Sequence, residues 1–173
     1  MKGRSKKEPG GQTYLSPDNA AIVIRLYEDR DQDEVWRLHV EAQTELGFPY
    51  DIPEIDGDLK QIPQAYGQAG AQFWVADAGA GPIATAGVRR VDTETAELKR
   101  MRVTATYRRK GVAEHLLRTA ERFCREQGYT RIVLETTERQ EAARRLYEKS
   151  GYAPSGTRLL GTLTAFDYVK ELS

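Results

Sequence analysis

The feature that most constrains this chain is a switch of hydrophobic period in its second half. Val112, Ala113, Leu116, Leu117, Ala120, Phe123 and Cys124 recur at helical spacing, which predicts one long amphipathic helix over residues 111–127. Strand-like runs flank it at residues 96–103 and 131–136. A strand–helix–strand passage is a crossover, and the helix must lay its apolar stripe on the sheet that both strands join.

The rest of the chain fits around that unit. A β-branched run at 22–26 predicts a strand. Asp31 and Asp33 are placed to cap a helix whose apolar positions are Val35, Leu38, Ala42 and Leu46, stopped by Gly47, Phe48 and Pro49. A loop with Pro49, Tyr50, Pro53 and Asp56 leads to a second helix expected over 58–68. Strands at 72–76 and 83–91 are joined by a turn at Gly79, Gly81 and Pro82, and Asp92 and Thr93 turn the chain into the strand at 96–103. A further helix is expected over 141–150, then short strands near 152–155 and 164–170. Hairpins followed by a crossover imply an α/β fold: a mixed, mostly antiparallel sheet of about 6–7 strands flanked by four helices.

Composition narrows the function. At 173 residues the chain fits one domain, expected over 20–173, with residues 1–19 read as a polar leader too poor in apolar groups to order. Lys2, Arg4, Lys6 and Lys7 are not followed by an apolar run, so no secretory signal and a cytoplasmic location are expected. No stretch has the apolar length of a membrane span. The 26 basic residues match the 26 acidic ones, which argues against a nucleic-acid binder. Cys124 is the lone cysteine and sits on the apolar stripe, which reads as core. His39 and His115 lack metal-ligand spacing, and no metal is assigned.

Chemistry concentrates between the strand at 96–103 and the long helix. Arg108, Arg109, Lys110 and Gly111 form a basic, glycine-containing turn at a helix start. Free N–H groups and the positive end of the helix dipole suit an anion there, above all a pyrophosphate. It is neither a P-loop nor a dinucleotide fingerprint, since GK[ST] and G-x-G-x-x-G are absent.

Arg108-Arg-Lys-Gly111-Val-Ala113 resembles the [RQ]-x-x-G-x-[GA] pyrophosphate loop of the GNAT superfamily of N-acetyltransferases. Met101-Arg102-Val103 is similar to the strand end that precedes that loop, and Ala143-Arg-Arg-Leu146-Tyr147-Glu-Lys-Ser-Gly151-Tyr152 to the family's A-x-x-L-Y-x-x-x-G-[FY] motif. The resemblance spans roughly 22–170, and the runs Glu97-Leu-Lys-Arg-Met and Thr136-Thr137…Gln140 resemble the camello-like branch. It implies acetyl-CoA as acyl donor. Met101, Arg102, Val103, Arg108, Arg109, Lys110, Gly111, Val112, Ala113 and Gln140 would hold it. Gln140 stands where many members have Asn, and Arg109 where many have Gly.

The implied reaction is direct attack of a neutral amine on the thioester, so a base, oxyanion donors and an acid for the leaving thiolate are needed. The resemblance offers Tyr147 as acid, and Glu97 or Glu135 as base. Strand alternation puts Glu97, Lys99, Met101 and Val103 on one face, which favours Glu97. Phe48, Tyr50, Asp51, Asp56 and Trp74 are candidates to shape an acceptor pocket whose acidity would suit a cationic amine. A small-molecule amine is the expected acceptor. A protein N-terminus or lysine, or a CoA sensor without catalysis, are the alternatives, and family members often form homodimers.

Overall fold

A computed structural model describes residues 11–173. In chain order the elements are β1 (Gln12–Leu15), β2 (Ala21–Leu26), a 3-10 turn (Asp29–Asp31), α1 (Gln32–Leu46), α2 (Pro53–Lys60), α3 (Ile62–Tyr66), β3 (Gln72–Asp77), β4 (Pro82–Arg90) and β5 (Thr95–Val103). A second 3-10 turn (Ala105–Tyr107) precedes α4 (Val112–Glu126), β6 (Arg131–Thr137), α5 (Glu141–Lys149), β7 (Ala153–Leu160) and β8 (Leu163–Glu171). The strands form one sheet in the order β1-β2-β3-β4-β5-β6-β8-β7. Every neighbouring pair is antiparallel except β5 and β6, the two strands that α4 connects. This is the mixed α/β sheet expected, with eight strands and five helices rather than 6–7 and four.

Alternation along the central strands supplies a core on each face. Val112, Leu116, Leu117, Ala120 and Cys124 of α4 pack on Ile22, Ile24, Ala84, Ala86 and Val88. On the other face Val35, Leu59, Ile62 and Tyr66 pack on Phe73 and Val75. Gly87 lets that second layer approach closely, since a Cβ there would lie 2.7 Å from Tyr66 Cε1 and 3.0 Å from Phe73 Cδ2. Trp74 points to the α4 face, 6 % exposed, with its ring edge-on to Phe123 at 5.2 Å, so it is core and not an acceptor-pocket wall.

Two other expectations are corrected. Gln12–Leu15 form a strand on the edge of the sheet where the leader was expected to run on to residue 19. Contacts from distant elements order it: Tyr14 stacks on His115 at 3.7 Å, and the Gln12 side-chain oxygen accepts from Arg122 at 3.1 Å. Residues 1–10 of that leader lie outside the described residues. The single helix expected over 58–68 is split into α2 and α3, each with a proline in its first turn, Pro53 and Pro63. Pro63 has no N–H with which to continue α2, and Gln61 leaves helical backbone at φ −139° and ψ 51°. No helix among the described residues is long and apolar enough to cross a membrane.

Candidate active site

The site begins where β5 and β6 part. Their parallel pairing covers only Thr95–Arg131, Ala96–Ile132 and Glu97–Val133, after which each strand runs on without the other. Clefts of about 590 Å³ and about 520 Å³ lie at this splay, and Arg102 and Gln140 line both. Each has the size of a small-molecule site.

The larger cleft has the features of a donor site. Met101, Arg102, Val103, Arg108, Arg109, Gly111, Val112, Ala113, Gln140 and Tyr147 all line it. Gly111 caps α4 at φ 82° with no side-chain cap, so the first N–H groups of α4 keep no partner within the helix. Arg109 also takes a left-handed backbone, φ 58°, at the position where many members of the family have Gly. An L-residue there costs about 1 kcal/mol, accepted because the turn must double back into the start of α4. Arg108 donates to the Val103 carbonyl at 2.9 Å and pairs with Glu45 of α1 at 2.6 Å. Lys110 does not line the cleft; it pairs with Asp18 at 2.6 Å. The Gln140 oxygen accepts from Thr137 N and Thr137 Oγ1, both at 3.1 Å, which leaves its amide N–H groups as the donors available to a ligand.

The Tyr147 hydroxyl makes no hydrogen bond to any described residue, and the residue is 6 % exposed. Burial pushes it up to about 12, with the Arg102 charge pulling the other way. It is therefore protonated at neutral pH, as an acid for a departing thiolate must be.

A bulge in β5 shapes the wall between the clefts. Thr85 pairs with Arg102 but Gly87 with Lys99, so β5 gains a residue, and Arg100 takes φ 58° there. A bulge leaves backbone polar groups out of the ladder, where they can serve a ligand. It also breaks the alternation on which Glu97 was favoured. Val103 pairs with Ala84 on the α4 face, whereas Glu97, Lys99 and Arg102 pair with Arg89, Gly87 and Thr85 on the opposite face.

The bulge is held by a buried clasp that the sequence did not reveal. Arg100, its side chain 8 % exposed, bonds Asp58 through two nitrogens, Asp56 Oδ1 at 3.1 Å and the Ile55 carbonyl at 2.5 Å. Tyr66 donates to Asp58 at 2.5 Å. Burial lowers the arginine's proton affinity, but the two aspartates lift it above its usual value.

The smaller cleft lies on the Glu97 face. Glu97, Lys99, Glu135, Phe48, Pro49, Ile52, Ile55, Leu160 and Leu163 line it, with Asp56 and Arg100. Tyr50 and Asp51 do not; Asp51 pairs with Lys60 outside. Asp56 is neutralised by Arg100, so the loop does not present the free acidity expected of it. Glu135 pairs with Arg158 of β7, and Glu97 lies 3.7 Å from Lys99. No group of three or more metal-ligating side chains occurs among the described residues.

Comparison with known proteins agrees with this geometry. The model of the acetyltransferase (GNAT) family matches residues 23–152. N-acetyltransferase 8F1 of Rattus norvegicus is 36 % identical over 108 residues, 60 % of this chain and 49 % of that protein. N-acetyltransferase 8 of Homo sapiens is 33 % identical over 105 residues, covering 57 % and 46 %. The chain thus spans about half the length of the curated relatives it matches. A GNAT-family acetyltransferase from Staphylococcus aureus Mu50 superposes with a TM-score of 0.79 at 25 % identity, covering 88 % of this chain and 99 % of that one. The ribosomal-protein-S18-alanine N-acetyltransferase of Escherichia coli shares the fold, with a TM-score of 0.72 at 20 % identity over 88 % of this chain and 94 % of its own. With a basic turn before α4, a bulged β5 and splayed strands in place, the chain belongs to the acetyltransferase (GNAT) family, an enzyme family that uses acetyl-CoA as co-substrate.

Proposed function

We propose that this enzyme transfers the acetyl group of acetyl-CoA to a primary amine of a small molecule by direct attack in a ternary complex. The observation that carries the reading is the meeting of two clefts at the β5–β6 splay, with Tyr147 on one side and Glu97 on the other. Both substrates can be present at once, and no covalent enzyme intermediate is needed.

The residues take the following parts. Arg108, Arg109 and the open N–H groups at Val112 and Ala113 hold the donor's phosphates. The Gln140 amide steadies its pantetheine arm. Glu97 takes a proton from the attacking ammonium, directly or through water, and Tyr147 gives one to the leaving thiolate. Backbone N–H groups freed by the β5 bulge stabilise the tetrahedral oxyanion. Glu97 is preferred to Glu135 because Lys99 holds it only loosely at 3.7 Å, while Glu135 is engaged by Arg158. Phe48, Pro49, Ile52 and Ile55 on one side, with Leu160 and Leu163 on the other, wall the acceptor cleft, which favours a small amine over a peptide.

Thiol release from acetyl-CoA across a panel of small amines and peptides tests this. Turnover with small amines is expected. Turnover with peptides alone would transfer the assignment to protein acetylation, and donor binding without turnover on any amine would overturn catalysis.

A further inference from the structure

We infer that Arg102 anchors an anionic group of the acceptor, so that the preferred amine carries a carboxylate within a few bonds of its nitrogen. This rests on the acetyl-transfer reading and names the substrate class of the same site.

Arg102 is the one cation at the junction of the clefts that the protein leaves unpaired among the described residues. Its Nη1 donates to the Met101 carbonyl at 3.0 Å, and its buried Nε has no partner. No described carboxylate lies within ion-pair distance of it. A guanidinium does not deprotonate in proteins, so the cost of burying this charge must be met by an anion. Every other charge around the acceptor cleft has a partner: Arg100 with Asp56 and Asp58, Glu97 with Lys99, Glu135 with Arg158. His39, also buried beside Asp56, is held neutral chiefly by burial. Arg102 is therefore the cation lining both clefts that has no direct carboxylate partner among the described residues, the aspartates of the Arg100 clasp acting on it only at longer range.

The donor is the wrong source for the missing anion. On the acetyl-transfer reading its phosphates would sit at the α4 N-terminus, and the part reaching Arg102 and Gln140 would be neutral amide and thioester. The acceptor remains. With Nη1 on the Met101 carbonyl and Nε buried, Nη2 is the donor that Arg102 leaves to a ligand, and its charge-assisted bond suits a carboxylate oxygen. Because Arg102 sits where the amine must meet the thioester, the carboxylate it holds must be close to that amine.

The competing role is transient: the guanidinium faces only the oxyanion of the tetrahedral intermediate. Matched primary amines of one skeleton, bearing either a carboxylate or its neutral carboxamide, separate the two in the thiol-release assay. The wild-type kcat/KM is expected to favour the carboxylate by about 100-fold or more, as a site built to pair a polar group rejects the analogue lacking it. In Arg102→Met that preference should fall below about fivefold, mainly through a higher KM for the carboxylate amine, while Arg102→Lys should keep part of it. A wild type that uses both amines alike would overturn the proposal. So would an Arg102→Met variant that loses kcat equally on both, which is the oxyanion result. A carboxylic acid lacking the amine supplies a readout independent of turnover. It should raise the melting temperature of the wild type and not of Arg102→Met, even if no amine proves to be acetylated. Absence of that shift in the wild type would also count against the anchor. Arg102→Met removes an unpaired buried charge and fills similar volume, so it is expected to fold.

Discussion

The two clefts are written into the chain in different ways. The donor cleft comes mainly from two short contiguous stretches, Met101–Ala113 and Gln140–Tyr147, and its cations lie at an open helix end. The acceptor cleft gathers the α1–α2 junction, β5, β6 and the β7–β8 hairpin, and most of its charges are paired with one another, those of the Arg100 clasp in the interior. A contiguous site can be read from spacing because the local backbone alone brings its groups together. A dispersed site depends on register, bulges and pairs made across the sheet. The donor side should therefore answer mutation through chemistry, and the acceptor side through stability and selectivity.

The sharpest break would come from Tyr147→Phe. Removing the Tyr147 hydroxyl should lower kcat by about 10³-fold, some 4 kcal/mol of barrier, with the KM for acetyl-CoA within about threefold of wild type. Packing should survive, since the ring stays among Tyr152 and Tyr168, at 5.7 and 6.4 Å between centroids. If kcat stayed within about twofold, the acid would have to be sought elsewhere.

On the acceptor side, Arg100→Leu should act through folding. It strands Asp58 and Asp56, 8 % and 1 % exposed, without their cation, at a cost of about 3 kcal/mol or more. For a domain of this size that is a melting temperature lower by roughly 6–12 °C. Asp58→Asn in the same background should recover part of the loss, because it removes one of the stranded charges. An unchanged melting temperature would mean that the clasp contributes no stability and that α2 is held by Leu59 and its neighbours alone.

Glu97→Gln and Glu135→Gln set the two carboxylates against each other. If Glu97 is the base, its amide should lower kcat by about 10²-fold, while Glu135→Gln should cost under about tenfold. The reverse ranking would move the base to β6.

How much of this was legible follows the same division. The crossover helix, the hairpins and the basic turn before α4 were visible because Val112–Cys124 repeats at helical spacing and because Arg108–Ala113 is one uninterrupted motif. β1 was not, since Tyr14 and Gln12 are ordered by His115 and Arg122, about a hundred positions away in the chain. The β5 bulge was invisible too: Arg100 and Arg102 look alike in a charged, alternating run, yet one is clasped by two aspartates and the other is left without any. Alternation then assigned Val103 to the face of Glu97, one residue out of phase. Asp51 and Asp56 read as free acidity because nothing local shows that Lys60 and Arg100 neutralise them.

The smallest effect expected is a pH dependence on the acceptor side, and its sign can be worked out. His39 is 1 % exposed with both ring nitrogens unbonded, and Nε2 lies 3.4 Å from Asp56 Oδ1. Burial lowers its proton affinity; Asp56 opposes this, and Arg102 and Arg100 add to it. With the folded value below the ordinary 6.5, the unfolded chain binds the proton more readily. The contribution to stability is thus fully present above about pH 6.5 and is lost as the pH falls from there toward the folded value. Asp31, Asp58 and Asp77 are lowered from 3.8, so their losses come only in stronger acid and leave the window from pH 7.5 to 5.5 to histidine. His115, lowered by burial and then by Arg118, adds to the slope from the α4 side. Denaturant unfolding across that window should show wild-type stability falling by about 1 kcal/mol, and His39→Gln should remove the larger part of the fall. Equal slopes in the two proteins would place the sensitivity at His115 instead, beside β1 and the donor-side helix, and the acceptor face would then be no more acid-labile than the donor face.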